Sequence, residues 1–208
     1  MNTITSRHVS DLPDSVFIAF ATIREEANLD NPFLNYELIS ETRNKQRIYE
    51  HVSSRELLLQ MLKARNIEPN AFNIDKTEDG KPFGKINDSH VYLSFSHTDE
   101  LVFCALSTQV DIGIDAEKID RPFRPELLKR IAGEEEIEAL ATCKPIAIWT
   151  MKEAVVKCLG IGIRRDLRDI RIQKEELGFS FLGSDEQLRI VSGVINNHQI
   201  SVAWRTTV

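Results

Sequence analysis

Between Trp149 and Lys157 the chain reads Trp-Thr-Met-Lys-Glu-Ala-Val-Val-Lys, which sets one carboxylate and two ammonium groups among apolar neighbours. As a helix, this stretch puts Trp149, Glu153 and Lys157 at i, i+4 and i+8, on one stripe. The nearby Ile146, Ile148, Ala154, Val155 and Val156 predict that most of the helix faces a core. A carboxylate held there must be paired, protonated or bound to a metal, because a lone buried charge is costly. The competing explanation is a surface Glu–Lys pair at helical spacing, worth only about 0.2–0.5 kcal/mol.

A second acidic cluster, Asp111-Ile-Gly-Ile-Asp-Ala-Glu117, lies upstream. On a strand, Asp115 and Glu117 at i and i+2 point to the same side. Two like charges held close are unfavourable unless a cation binds them or one is protonated. Oxygen ligands of this kind favour Mg²⁺ or another hard divalent ion. An exposed strand end with acidic alternate residues is the ordinary alternative. Ser94-Phe95-Ser96-His97-Thr98 adds hydroxyls and an imidazole at the end of another strand, donors suited to phosphate oxygens. Gly80 to Lys85 is one residue short of the Walker spacing, and Gly160-Ile-Gly162 lacks the third glycine of a dinucleotide loop. No G-x-S-x-G occurs.

These groups need a scaffold. At 208 residues the chain forms one large domain or two small ones. A chain of this size buries roughly 70% of its unfolded surface. The 42% hydrophobic and 28% charged content is that of a soluble globular protein, and a net charge of −6 argues against general nucleic-acid binding. Cys104, Cys143 and Cys158 lack disulfide or metal spacing; Cys104 and Cys158 read as core residues in a reducing cytosol. No run approaches a membrane span, and no basic region precedes the apolar stretch Val16–Ile23, so a cytoplasmic location is expected. Strands are expected at 16–22, 91–96, 170–172, 179–182, 188–191 and 199–204, with 101–106 and 110–114 at hairpin spacing. Helices are expected within 40–50, at 125–131, 134–140 and 146–159, and at 57–64, the last capped by Ser53-Ser54-Arg55-Glu56. The class is α+β, in two similar halves, 1–109 and 110–208.

Singly, each cluster has a plain structural explanation. Jointly and in order, Gly-Lys-Pro, Ser-His-Thr, Gly-Ile-Asp-x-Glu and Trp-Thr-x-Lys-Glu-Ala-x-x-Lys resemble the 4′-phosphopantetheinyl transferase superfamily, in its larger pseudo-dimeric (Sfp-like) branch. The resemblance covers roughly residues 47–162. It implies transfer of the phosphopantetheine arm of coenzyme A to a serine of an acyl or peptidyl carrier protein, with release of 3′,5′-ADP. By the same resemblance, Asp115, Glu117 and Glu153 would hold Mg²⁺, and Lys157 would meet the phosphates. Ser96 and His97 would contact phosphate, and Arg55 and Arg47 the 3′-phosphate. Gly80, Lys81 and Pro82 would line the adenine pocket, and Trp149 would pack beneath the site.

The resemblance leaves some roles open. Lys152 is turned about 100° from Glu153 and is expected to be peripheral. Glu136, or Glu135 in its place, corresponds to a family glutamate although the surrounding motif departs from the family's. Glu153 or a metal-bound water would act as general base. Arg121, Arg124, Lys129 and Arg130, with Arg164, Arg165, Arg168 and Arg171, would offer basic docking patches for an acidic carrier helix, and a monomer is expected. The alternatives are a Mg²⁺-dependent phosphodiesterase acting on coenzyme A or another nucleotide, and a non-catalytic module that binds coenzyme A.

Overall fold

The computed structural model describes residues 2–4, 11–25, 29–162, 166–183 and 186–206. The first half supplies β1 (Asn2–Ile4), β2 (Val16–Thr22), α1 (Tyr36–Glu41), α2 (Lys45–Ala64), β3 (Phe72–Lys76), β4 (Pro82–Ile86), β5 (Ser89–His97) and β6 (Leu101–Ser107). Its strands form an antiparallel sheet in the order β1-β2-β6-β5-β4-β3. The second half supplies β7 (Ile112–Lys118), α3 (Pro125–Ile131), α4 (Glu134–Ala139), α5 (Pro145–Leu159), β8 (Ile172–Lys174), β9 (Phe179–Leu182), β10 (Gln187–Ile195) and β11 (His198–Arg205). These strands form a second antiparallel sheet, β7-β11-β10-β9-β8. The α+β class follows, and the chain passes from one sheet to the other at residues 108–111.

Alternation along the strands builds three cores. Val16, Ile18, Phe20, Leu101, Phe103 and Ala105 of the first sheet meet Ile112, Ile114, Ile200, Val202 and Trp204 of the second. The opposite faces of β2 and β6, through Ala19, Val102, Cys104 and Leu106, pack on Leu57, Leu58, Met61 and Leu62 of α2. In the second half Met151, Ala154, Val155 and Cys158 of α5 pack on Ile172, Phe181, Leu188 and Ile190. Burial pushes the Cys104 and Cys158 thiols up to about 12, so both are inert core side chains. No helix of the described residues is long and apolar enough to cross a membrane.

The structure corrects three expectations and adds β3 and β4, two strands that were not expected. Ser53–Glu56 is not an N-cap but lies inside α2, whose cap is Asn44, accepting from the Gln46 N–H. Ser54 bonds instead to the carbonyl of His51, the local bond a mid-helix serine adopts. Residues 101–106 and 110–114 do not form a hairpin. Ser107 Oγ accepts the N–H groups of Gln109 and Val110, turning the chain so that β7 joins β11 rather than β6. The strand expected at 170–172 begins at Ile172, after a short 3₁₀ turn at Leu167–Asp169. Finally, β3 at the sheet edge and β4 beside it carry polar residues on their exposed positions, which hid them from a hydrophobicity reading.

Candidate active site

Three apolar residues of β7, Ile112, Ile114 and Ala116, enter the core between the sheets. Strand alternation therefore turns Gly113, Asp115 and Glu117 toward α5. Gly113 is what allows the helix to come so near. A Cβ there would lie 2.1 Å from the Ala154 carbonyl oxygen and 2.4 Å from the Cys158 nitrogen.

Asp115 is 7% exposed. Its Oδ1 accepts from Lys157 Nζ at 2.7 Å and from Ser96 Oγ at 3.0 Å. Its Oδ2 is buried and has no hydrogen-bond partner among the described residues. Lys157 also donates to the Ile114 carbonyl at 3.0 Å and keeps 30% of its side chain exposed. Glu117 pairs with Arg121, whose guanidinium lies 6.0 Å from the Trp149 ring centre. Trp149 in turn meets Phe123 edge-on.

The electrostatics are those of an anionic cluster short of counter-charge. Burial raises the Glu153 carboxyl above the usual range, and the Asp115 charge adds to this while Lys157 opposes it. Burial likewise raises Glu117, against Arg121 and with help from Asp115 and Glu153. Among the described residues, no three His, Cys, Asp or Glu side chains already close into a metal cage. The orphaned Asp115 Oδ2 and two carboxyls that resist ionisation are nonetheless what a hard divalent ion would satisfy. The donor set fits that ion.

A cleft of about 550 Å³ opens between the halves. Trp149, Glu153 and Lys157 line one wall, and Gly80, Lys81, Pro82, Ser94 and Phe95 the other. Lys81 closes one end by donating to Asp111 and to the Cys158 carbonyl of α5. Gly160, at φ +70°, ends α5 in the left-handed region that favours glycine. A second cleft of about 380 Å³ shares Phe95 with the first and gathers Arg47, Arg55, Ser96 and His97. Arg55 stacks 4.3 Å over the Phe95 ring, and His97 Nε2 meets Glu50 at 2.8 Å.

Lys152 lines neither cleft, as its angle from Glu153 led one to expect, and its side chain is fully buried. Its ammonium donates to Glu136 Oε2 at 2.8 Å, to the Leu167 carbonyl at 3.0 Å, and to the Ile170 carbonyl. Glu136 Oε1 accepts the Ile172 N–H at 2.7 Å, whereas Glu135 is exposed. Glu136 is thus the inward-facing glutamate of the run, and it ties α4, α5 and β8 together. Arg121, read from the sequence as part of a docking patch, is engaged with Glu117. Arg124, Lys129, Arg130, Arg168 and Arg171 are exposed, and Arg164 and Arg165 lie outside the described residues. Asp111 as the partner of Lys81, Glu50 as the partner of His97, and Ser94 as a backbone acceptor were missed. The only signal for Ser94 was the alternation of hydroxyls at 94, 96 and 98.

Two antiparallel sheets thus set an acidic strand and a lysine-bearing helix beside a cleft between the halves. Residues 111–204 match the family model of the 4′-phosphopantetheinyl transferase superfamily. The 4′-phosphopantetheinyl transferase gsp of Aneurinibacillus migulanus is 30% identical over 129 residues, 59% of this chain and 51% of that protein. A 4′-phosphopantetheinyl transferase of Bacillus subtilis is 28% identical over 155 residues, 67% of each chain. The human L-aminoadipate-semialdehyde dehydrogenase-phosphopantetheinyl transferase is 25% identical over 202 residues, 77% of this chain and 65% of that protein. The chain therefore spans about half the length of the first of these relatives and about two thirds of the other two. The second half of the chain, residues 111–204, is thus similar to the 4′-phosphopantetheinyl transferase superfamily.

Proposed function

We propose that the protein transfers the 4′-phosphopantetheine arm of coenzyme A to a serine of an apo acyl or peptidyl carrier protein, with Mg²⁺, releasing 3′,5′-ADP. The observation that carries the reading is the Asp115 carboxylate, braced on Oδ1 and buried without a partner on Oδ2, beside Glu153 and Lys157. The names of the relatives support it.

Asp115, Glu117 and Glu153 would hold the ion. When bound, it neutralises the diphosphate and stabilises the phosphoryl group in transfer. Glu153, on the cleft wall beside Lys157, would act as the base. It takes the proton of the carrier serine as Oγ bonds to the phosphorus that bears pantetheine. The bond from that phosphorus to the bridging oxygen breaks, and 3′,5′-ADP leaves. Lys157, still part-exposed on the cleft wall, donates to the departing oxygen. Gly80, Lys81 and Pro82 line the nucleotide end, and Arg47, Arg55 and His97 meet the 3′-phosphate in the adjoining cleft.

In this reading residues 1–109 supply the nucleotide contacts and residues 110–208 the metal ligands and the lysine helix. The chain works as a cytoplasmic monomer, and the exposed Arg124, Lys129, Arg130, Arg168 and Arg171 receive an acidic carrier helix. The test is chromatography of 3′,5′-ADP after incubation with coenzyme A and Mg²⁺, with and without apo carrier protein. Release only in the presence of carrier is expected. Release without carrier would identify a phosphodiesterase and overturn the reading.

A further inference from the structure

Ser94 and Ser96 of β5, and Thr98 just past its end, carry hydroxyls at alternate positions, and each crosses to the second half of the molecule. Ser94 Oγ accepts the Ile114 N–H at 3.0 Å, and Ser96 Oγ accepts the Ala116 N–H at 3.1 Å. Thr98 Oγ1 meets His198 Nε2 at 3.1 Å. The His198 Nδ1 lies 2.6 Å from the Asn196 carbonyl, so that nitrogen carries the proton and Nε2 accepts from Thr98. The two serine contacts satisfy the Ile114 and Ala116 N–H groups of β7, an edge strand that would otherwise leave them bare.

Ser96 alone of the three also reaches a carboxylate, donating to Asp115 Oδ1 at 3.0 Å. It is 4% exposed. A hydroxyl has one proton and two lone pairs. The Ser96 proton is spent on Asp115 and one lone pair on Ala116, so it has no proton left for a phosphate oxygen. Lys157 binds the same Oδ1, and the two donors together fix the plane of the carboxylate, leaving Oδ2 as its open atom.

We infer that Ser96 is a positioning residue for the metal-ligating carboxylate, orienting Asp115 so that Oδ2 meets the divalent ion, and not a ligand of the coenzyme A phosphates. The inference rests on the proposed Mg²⁺ and coenzyme A site. Such outer partners of a metal-binding carboxylate change metal affinity by about 10–100-fold when removed.

The experiment measures Mn²⁺ affinity by electron paramagnetic resonance in the presence of coenzyme A, and coenzyme A affinity by calorimetry in chelator. Ser96→Ala is expected to weaken Mn²⁺ binding about tenfold or more while leaving metal-free coenzyme A affinity unchanged. Ser96→Thr, which keeps the hydroxyl, restores most of the Mn²⁺ affinity. Thr98→Ala breaks the same seam away from the carboxylate, so it lowers the unfolding temperature without moving Mn²⁺ affinity. Should Ser96→Ala not fold, Ser96→Cys gives the same comparison, with a weak S–H donor in place of the hydroxyl. Equal Mn²⁺ affinity in Ser96→Ala and wild type, or a loss confined to metal-free coenzyme A binding, overturns the inference alone. Wild-type protein that binds no Mn²⁺ with coenzyme A overturns the metal site itself, and the inference with it.

Discussion

Lys157 Nζ lies 2.7 Å from Asp115 Oδ1, while the other oxygen of that carboxylate is buried with no hydrogen-bond partner among the described residues. One cation from α5 thus serves one side of an aspartate whose other side is open. The proposed chemistry turns on this asymmetry, since the open oxygen and the nearby Glu153 share a need for positive charge that Lys157 alone does not meet.

That need has a measurable consequence for stability. The Glu153 and Glu117 carboxyls are raised by burial, so the folded protein holds their protons more tightly than the unfolded chain. Their contribution is fully present below the ordinary glutamate value of 4.5 and is lost as pH rises through the raised values. Metal-free protein at neutral pH therefore carries the cost of holding these charges in a buried site beside Asp115. Glu153→Gln is expected to raise the unfolding temperature in chelator at pH 7.5. Mg²⁺ with coenzyme A is expected to raise that of the wild type and not that of the variant. Calorimetric scans of both proteins make the comparison, and a Glu153→Gln variant less stable than wild type in chelator would contradict it.

Gly113 is the second point of leverage. The backbone of α5 occupies the space a Cβ would need. Gly113→Ala must push α5 away from β7, carrying Glu153 and Lys157 from Asp115. The expected cost is about 3 kcal/mol, the upper end for over-packing, with a loss of transfer activity. Urea denaturation and a transfer assay read the two effects, and an unchanged urea midpoint would count against the close approach.

Lys152 and Glu136 form a buried pair, with side chains 0% and 8% exposed. Burial pushes the Lys152 ammonium below its usual range, with Glu136 opposing that shift. Lys152→Met leaves Glu136 buried without its cation and is expected to cost about 3–5 kcal/mol. Adding Glu136→Met removes the unpaired charge and recovers part of this, since the Ile172 N–H stays orphaned at about 1–3 kcal/mol beside the Leu167 and Ile170 carbonyls that Lys152 had served. Urea denaturation of the single and double variants checks both figures. A double variant no better than the single would contradict the pairing.

His51 gives a pH dependence of the opposite sign. Burial, with the charges of Arg55 and Lys76, pushes it down to about 4, and its Nε2 accepts the Asn35 N–H at the start of α1. The neutral ring's contribution is fully present above the ordinary histidine value of 6.5 and is lost as pH falls toward about 4. The stability difference between wild type and His51→Gln is expected to shrink through that window. Urea midpoints at several pH values follow it, and a constant difference would rule the mechanism out.

The residues that carry charge were the legible part of the chain. Alternation predicted that Asp115 and Glu117 share a side, and helical spacing predicted the stripe of Trp149, Glu153 and Lys157. Neither rule states what faces that side, which depends on β7 pairing with β11 some 85 residues downstream. The hairpin expected from spacing alone failed for this reason, because Ser107 turns the chain between sheets. The helical angle placed Lys152 off the site but did not show that its side chain is buried, because the angle distinguishes faces and not which face is covered. Ser96 looked like an anion donor because the sequence lists its hydroxyl without showing that its proton is already spent.

The most direct measurement is mass spectrometry of an apo carrier protein incubated with coenzyme A, Mg²⁺ and either wild type or Glu153→Gln. The account predicts a phosphopantetheine adduct on the carrier serine with wild type, and none with the folded variant. Equal modification by the variant, or none by wild type across acyl and peptidyl carriers, would contradict it.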